Sequence, residues 1–320
     1  MTIPHNIIAC AIYRWLALLS LLLPTIGNAE VGLPEPSRIS EHAWAWIGPF
    51  GPPTEQNRGF RMNMGFIVGN DRVAVIDSGY SSEMASSMID HIRRITDRPI
   101  AYVVNTNTQP HRILGNSTFR RVGAEVVAAE AAVSRITGEG AALASRAEGI
   151  LKLPSGSIQP PGTPDLILTE STQLNLGGVA LNLIPVGTAH TAGSLIVEVV
   201  EDMTVFTGDV LYRGRLLSIL SVSRVDGWID AFDELRKFSE ARFVPGHGEP
   251  GGLASFEDST YAYLTTLKAH MDKAVDEGID LQEAIASLDQ SQWQHLADFD
   301  ALAGRNAHQT YLEREAGAFE

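Results

Sequence analysis

Cysteine is almost missing from this chain. The single one, Cys10, sits in an N-terminal apolar stretch of a 320-residue sequence. Beyond that stretch there is no disulfide framework, no thiolate metal ligand and no cysteine nucleophile. Positive charge is also scarce: 24 Lys and Arg face 38 Asp and Glu, for a formal charge of −14 and a pI near 5.1. Nothing in that balance favours a phosphate backbone, so nucleic acid is not an expected partner. The plain consequence of the charge is solubility. A bilayer-length apolar run is lacking as well. The run from Trp15 to Leu23, ended by Pro24, is shorter than the roughly 20 residues a spanning helix needs.

That short run has the layout of a targeting segment. Arg14 precedes it, and Gly27-Asn28-Ala29 places small residues at −3 and −1 before Glu30. A signal peptide over residues 1–29 is expected, with a periplasmic or secreted protein from residue 30 to 320. Because Ile7 to Tyr13 is itself apolar, an uncleaved anchor running to Leu23 is the alternative, and the only membrane contact expected. An exported chain without disulfides relies on its core. A hydrophobic content of 44% over this length is enough to build one.

The remaining pattern is one of strands followed by helices. Met64–Val68 and Val73–Asp77 flank Gly69-Asn70-Asp71 as a hairpin. Ser81 or Ser82 caps a helix with Met84, Ala85, Met88, Ile89, Ile92 and Ile95 at helical spacing. Ile100–Val104 reads as a buried strand, Glu125–Ala128 as another, with helix to about Leu151. The proline-rich segment from Leu153 to Asp165 reads as a linker between two halves. Strands are expected at 166–168, 173–176, 179–185, 195–200, 205–207 and 242–244, and helices at 228–238, 255–275, 281–288 and 306–315. Strands clustered in each half with helices outside them predict two sheets packed face to face.

Four loops carry the polar residues that bear chemistry, each at a strand end, where ligand sites commonly lie. They are Gly187-Thr188-Ala189-His190, Phe206-Thr207-Gly208-Asp209, Val244-Pro245-Gly246-His247-Gly248, and the stretch from Asn105-Thr106 to Gly115-Asn116. Glycines flank His190, Asp209 and His247 and permit tight turns that aim those side chains into one pocket. His42, His91, His295 and His308 lack such a setting and read as ordinary packed or surface residues. Asp77, at the end of the hairpin, reads as a hydrogen-bonding brace for the 105–116 loop.

Together these loops resemble the metallo-β-lactamase superfamily, over about Gly65 to Gly251. The resemblance implies an α/β fold, a four-layer αββα sandwich, with a C-terminal helical extension from about residue 255. In that family the first loop reads His-x-His-x-Asp-His between an Asn-Thr and a Gly-Asn. Here the frame is kept, but the six positions read Asn107-Thr108-Gln109-Pro110-His111-Arg112. By the resemblance Asn107, Gln109 and His190 stand where one metal is held. His111, Arg112 and His247 stand where the second is held, and Asp209 is the bridge. Amides are weak zinc ligands beside imidazole, and a guanidinium has no lone pair to give.

Two alternatives follow. In one, His111, Asp209 and His247, with His190 nearby, keep a single zinc and hydrolyse a small ester, lactam or thioester. In the other there is no metal, and Asn107, Gln109 and Arg112 help form a pocket for a small anion. For Arg112 the competing expectation is an ion pair with Asp209. The C-terminal Gly304-Arg305-Asn306 to Tyr311–Glu315 region, with the long helix before it, resembles exported zinc-hydrolase-like proteins of quinoprotein and sulfur-oxidation gene clusters. That likeness implies an accessory role with periplasmic protein partners.

Overall fold

The computed structural model describes residues 32–318; the expected signal peptide lies outside them. The first sheet has the spatial order β1 (Ser37–Arg38), β2 (Ala43–Trp46), β3 (Met64–Val68), β4 (Val73–Ile76), β5 (Ile100–Val104), β6 (Glu125–Ala129), β7 (Leu166–Leu168). The second is built from β8 (Thr172–Asn175), β9 (Ala180–Pro185), β10 (Leu195–Val199), β11 (Thr204–Tyr212) and β12 (Arg242–His247). Its order is β12-β11-β10-β9-β8. Helices α1 (Ser82–Ile95), α2 (Pro110–Ile113), α3 (Asn116–Arg120) and α4 (Glu130–Leu151) belong to the first half. The second half carries α5 (Val225–Leu235), α6 (Tyr263–Asp276), α7 (Leu281–Ser287) and α8 (Phe299–Gly317). Among the described residues no helix is long and apolar enough to cross a membrane.

The layering follows from side-chain alternation along the strands. On β2, Trp46 packs outward with α1 while Ala43 and Ala45 turn toward the second sheet. On β4, Val73 and Val75 face outward, and Ala74 and Ile76 inward. On β6, Val126 and Ala128 oppose Val127 and Ala129 in the same way. The inward set meets Leu181, Leu183, Leu195, Val197 and Phe206 of the second sheet. The far face of that sheet packs Val205 and Phe243 against Trp228, Phe232, Leu264 and Leu267 of α5 and α6. Both sheets are thus covered on both faces, which is why β3, β4 and β11 are buried almost throughout.

Capping sets α1 as the sequence predicts. The Ser81 hydroxyl accepts from the Met84 amide, Glu83 lies in the first turn, and Arg93 and Arg94 lie in the last. Other boundaries differ. The Leu166–Leu168 strand pairs in parallel with β6 and closes the first sheet, so the proline-rich linker lies inside the first half. The helix expected from residue 255 starts irregularly, as a 3₁₀ turn over Leu253–Phe256 and a π turn over Glu257–Ala262. There Ser259 and Thr260 turn their hydroxyls onto the Tyr212 carbonyl, tying the helix start to β11. The C-terminal helix begins at Phe299, well before Asn306.

Candidate functional site

Two loops, one strand end and one strand interior converge at one edge of the sandwich. β5 delivers the 105–109 loop, the β9–β10 connection delivers His190, and β12 ends on His247. Asp209 lies inside β11, where the pairing with β12 shifts register between Gly208 and Tyr212. Such irregularity re-aims a side chain off the sheet. The close approach needs glycine. A Cβ at Gly246 would stand 2.3 Å from Asp209 Oδ1, and one at Gly208, where φ is +50°, would stand 2.2 Å from Thr106 Oγ1. Gly246→Ala should cost roughly 2 kcal/mol or more by overpacking, read as a lower urea midpoint. A variant as stable as the parent would contradict this packing.

Arg112 fills the centre. Its guanidinium is fully buried and uses all five of its N–H donors. Nε donates to Asp209 Oδ2 at 3.3 Å, and Nη2 donates to Asp209 Oδ1 and to the Gly246 carbonyl at 3.1 Å. Nη1 donates to Asp77 Oδ2 at 2.9 Å and to the Asn63 carbonyl. No N–H is left for an external anion. Asp77 serves as the brace, accepting from the Thr106 amide at 2.8 Å and from its hydroxyl. It is also an ion-pair partner of Arg112.

Asp209 is the common acceptor. Besides Arg112, its Oδ2 accepts from Asn107 Nδ2 at 2.8 Å. Three imidazole Nε2 atoms surround the carboxylate: His247 at 3.3 Å, His111 at 3.4 Å and His190 at 3.9 Å. One donor atom each from His111, Asp209 and His247 lies within 4.8 Å of the others; His190 stands outside that group. His247 Nδ1 donates to the Arg61 carbonyl at 2.9 Å. Its ring stacks on Tyr212, with centroids 4.9 Å apart. His190 stands edge-on to Trp228. His111 Nε2 is buried without a hydrogen-bond partner. The Gln109 side chain does not join the cluster but lines a neighbouring cavity with Pro110.

Burial sets the protonation states. Desolvation, then the Arg112 charge, pushes His111 down to about 3 against the pull of Asp209. Desolvation likewise lowers His190 to about 4 and His247 well below the usual histidine range. Asp209 is also desolvated, but Arg112 and the histidines outweigh this and hold it well below a normal carboxylate. Asp77 is pushed up to about 6 by burial, with Arg112 pulling the other way. For a histidine with a depressed folded-state pKa, the stabilisation is present above about 6.5 and lost as pH falls toward the folded value. Each such histidine should cost about 1.4 kcal/mol per pH unit below that point. Asp77, raised in the folded state, offsets part of this between pH 6 and 4. Stability in denaturant should therefore fall steeply from pH 6.5 to 4; a flat profile would mean the imidazoles are not held neutral.

A fold of two face-to-face sheets with this edge cluster defines a class. The sequence profile of the Metallo-beta-lactamase superfamily matches residues 58–247, more than half of the chain, and the protein belongs to that superfamily. Among solved structures it is similar to a metallo-beta-lactamase from Pontibacter korlensis. The two share 19% identity over 72% of this chain and 98% of the other, with a TM-score of 0.56. At that identity the likeness speaks for the fold.

The family's zinc pair does not fit the side chains present. Two of the loop positions are amides, and Arg112 already holds both oxygens of Asp209. A single ion finds better spacing at His111, Asp209 and His247. It would share that carboxylate with a buried guanidinium. The guanidinium's charge repels a cation at the same carboxylate. Asn63 and Arg61 escaped the sequence reading. Both act through backbone carbonyls, which leave no mark in residue type. Asn63 also donates through Nδ2 to the Pro245 and Gly248 carbonyls, clamping the His247 turn.

Proposed function

We propose that this chain is an exported, non-hydrolytic member of the superfamily whose centre holds a guanidinium where catalytic members hold metal. The Arg112 guanidinium supplies the positive charge that metal ions supply in catalytic members. The observation that carries this reading is the complete use of its five N–H groups by Asp209, Asp77 and two carbonyls. One guanidinium against two carboxylates leaves a net charge of −1, and hydrogen bonds from Arg112, Asn107 and Thr106 hold it. The apolar N-terminal segment supports export. The likeness of the C-terminal helices to proteins of quinoprotein and sulfur-oxidation clusters supports an accessory role beside a periplasmic oxidation system.

The second reading is a single-zinc hydrolase of a small ester, lactam or thioester. Its specific support is the orphaned, buried His111 Nε2 beside Asp209 and His247. Those three side chains would hold the ion, which when bound lowers the pKa of a coordinated water. Repulsion by Arg112 ranks it behind the first. The test is hydrolysis of p-nitrophenyl acetate, nitrocefin and a thioester with excess zinc, against an Asp209→Asn variant. Equal, background rates are expected. Turnover that zinc raises and Asp209→Asn removes would reverse the ranking.

A further inference from the structure

Beside the buried cluster, on the other side of Gln109 and Pro110, lies a cavity of about 660 Å³. Its ionisable lining is entirely basic: Arg135 and Arg146 from α4, and Arg305 and His308 from α8. In a chain of net charge −14 this is a local reversal of sign. Arg146 and Arg305 enter no ion pair among the described residues, and Arg135 makes only a loose one, Nε to Glu139 Oε2 at 3.5 Å. Arg135 Nε is also buried with no hydrogen-bond partner. Between the two basic faces lie Leu143, Ile219 and Ile285.

Guanidiniums without a close carboxylate partner in a concave, part-apolar site are set up to fork onto planar anions. Two of them stand eleven residues apart on one helix, about 16 Å along its axis. That spacing suits separated anionic groups better than one small ion. We propose that the α4–α8 cavity is a binding site for a small organic anion that carries two or more carboxylate or phosphate groups on an apolar body. The guanidiniums take the charged groups, and Leu143, Ile219 and Ile285 cover the body. The site shares no side chain with the Arg112 cluster. It therefore holds whether that cluster is metal-free or carries an ion.

Calorimetric titration of the purified protein tests it with two probes, trimesate for carboxylates and naphthalene-1,5-diyl bisphosphate for phosphate. Saturable binding is expected, weakening as sodium chloride is raised. Whichever probe binds more tightly assigns the anionic group. Arg146→Ala and Arg305→Ala should each weaken binding by about tenfold or more. Arg242→Gln is the control. Arg242 begins the strand that His247 ends, about 16 Å along β12 from the cluster edge, and is exposed. Both cavity arginines are exposed at helix surfaces, so the variants should keep the parent's melting temperature. No binding of either probe at millimolar concentration would overturn the proposal. So would binding that the two alanine variants leave unchanged, or that Arg242→Gln weakens equally.

Discussion

Arg112→Ala should destabilise the protein by about 3–5 kcal/mol at pH 7 to 8, the cost of leaving buried charges without their partner. Two carboxylates are affected. Asp209 would keep only the Asn107 amide and three neutral imidazoles, and Asp77 only the Thr106 donors. The Asn63 and Gly246 carbonyls would also lose their donor. Urea unfolding in chelator-treated buffer measures the effect. The loss should shrink as pH falls toward 6. Burial holds Asp77 at about 6 with Arg112 pulling it down, so without the guanidinium it takes its proton at a higher pH and one of the stranded charges disappears. Arg112→Lys should recover only part of the stability, because an ammonium cannot form the two-oxygen fork on Asp209. A loss under about 1 kcal/mol for Arg112→Ala would place the guanidinium in the class of weak, solvent-screened pairs and sink the account.

The second large effect is a gain. The triple variant Asn107→His, Gln109→His, Arg112→His removes the guanidinium and puts imidazoles at the three positions the superfamily uses for them. It should take up zinc, at one ion per chain or more. Zinc held at about 100 times its dissociation constant should then stabilise the fold by about 2.7 kcal/mol. The surrounding frame is already in place: Asp209 in its register shift, His190 and His247 nearby, and Asn63 clamping the last turn. Failure of the triple variant to bind zinc would mean the strand ends are not placed as described. Position 109 is the demanding one, since its native side chain turns to the neighbouring cavity.

Much of this was legible in the sequence because the relevant signals are local. The apolar runs Met64–Val68 and Val73–Ile76 around Gly69-Asn70-Asp71, and the serine cap before Met84, each fix an element from within a few residues. Glycines beside His190, Asp209 and His247 mark the turns that aim them. The identity of Asn107, Gln109 and Arg112 announced an altered loop. What the letters left open was where Arg112 points. An anion pocket and an ion pair with Asp209 were both compatible with them, and long-range contacts to Asn63, Asp77 and Gly246 decide the matter. The Leu166–Leu168 strand was placed in the wrong half because proline content marks a loop but not which sheet the next strand joins. The basic cavity was invisible for the same reason, since Arg146 and Arg305 lie over 150 residues apart in the chain.

Elemental analysis of the purified protein, prepared without chelator and with zinc in the growth medium, tests the central claim most directly. A guanidinium-filled centre predicts far less than one zinc per chain, and the same result for His247→Ala. Close to one zinc per chain, lost in His247→Ala, would contradict it and establish the His111, Asp209 and His247 group as a metal site despite Arg112.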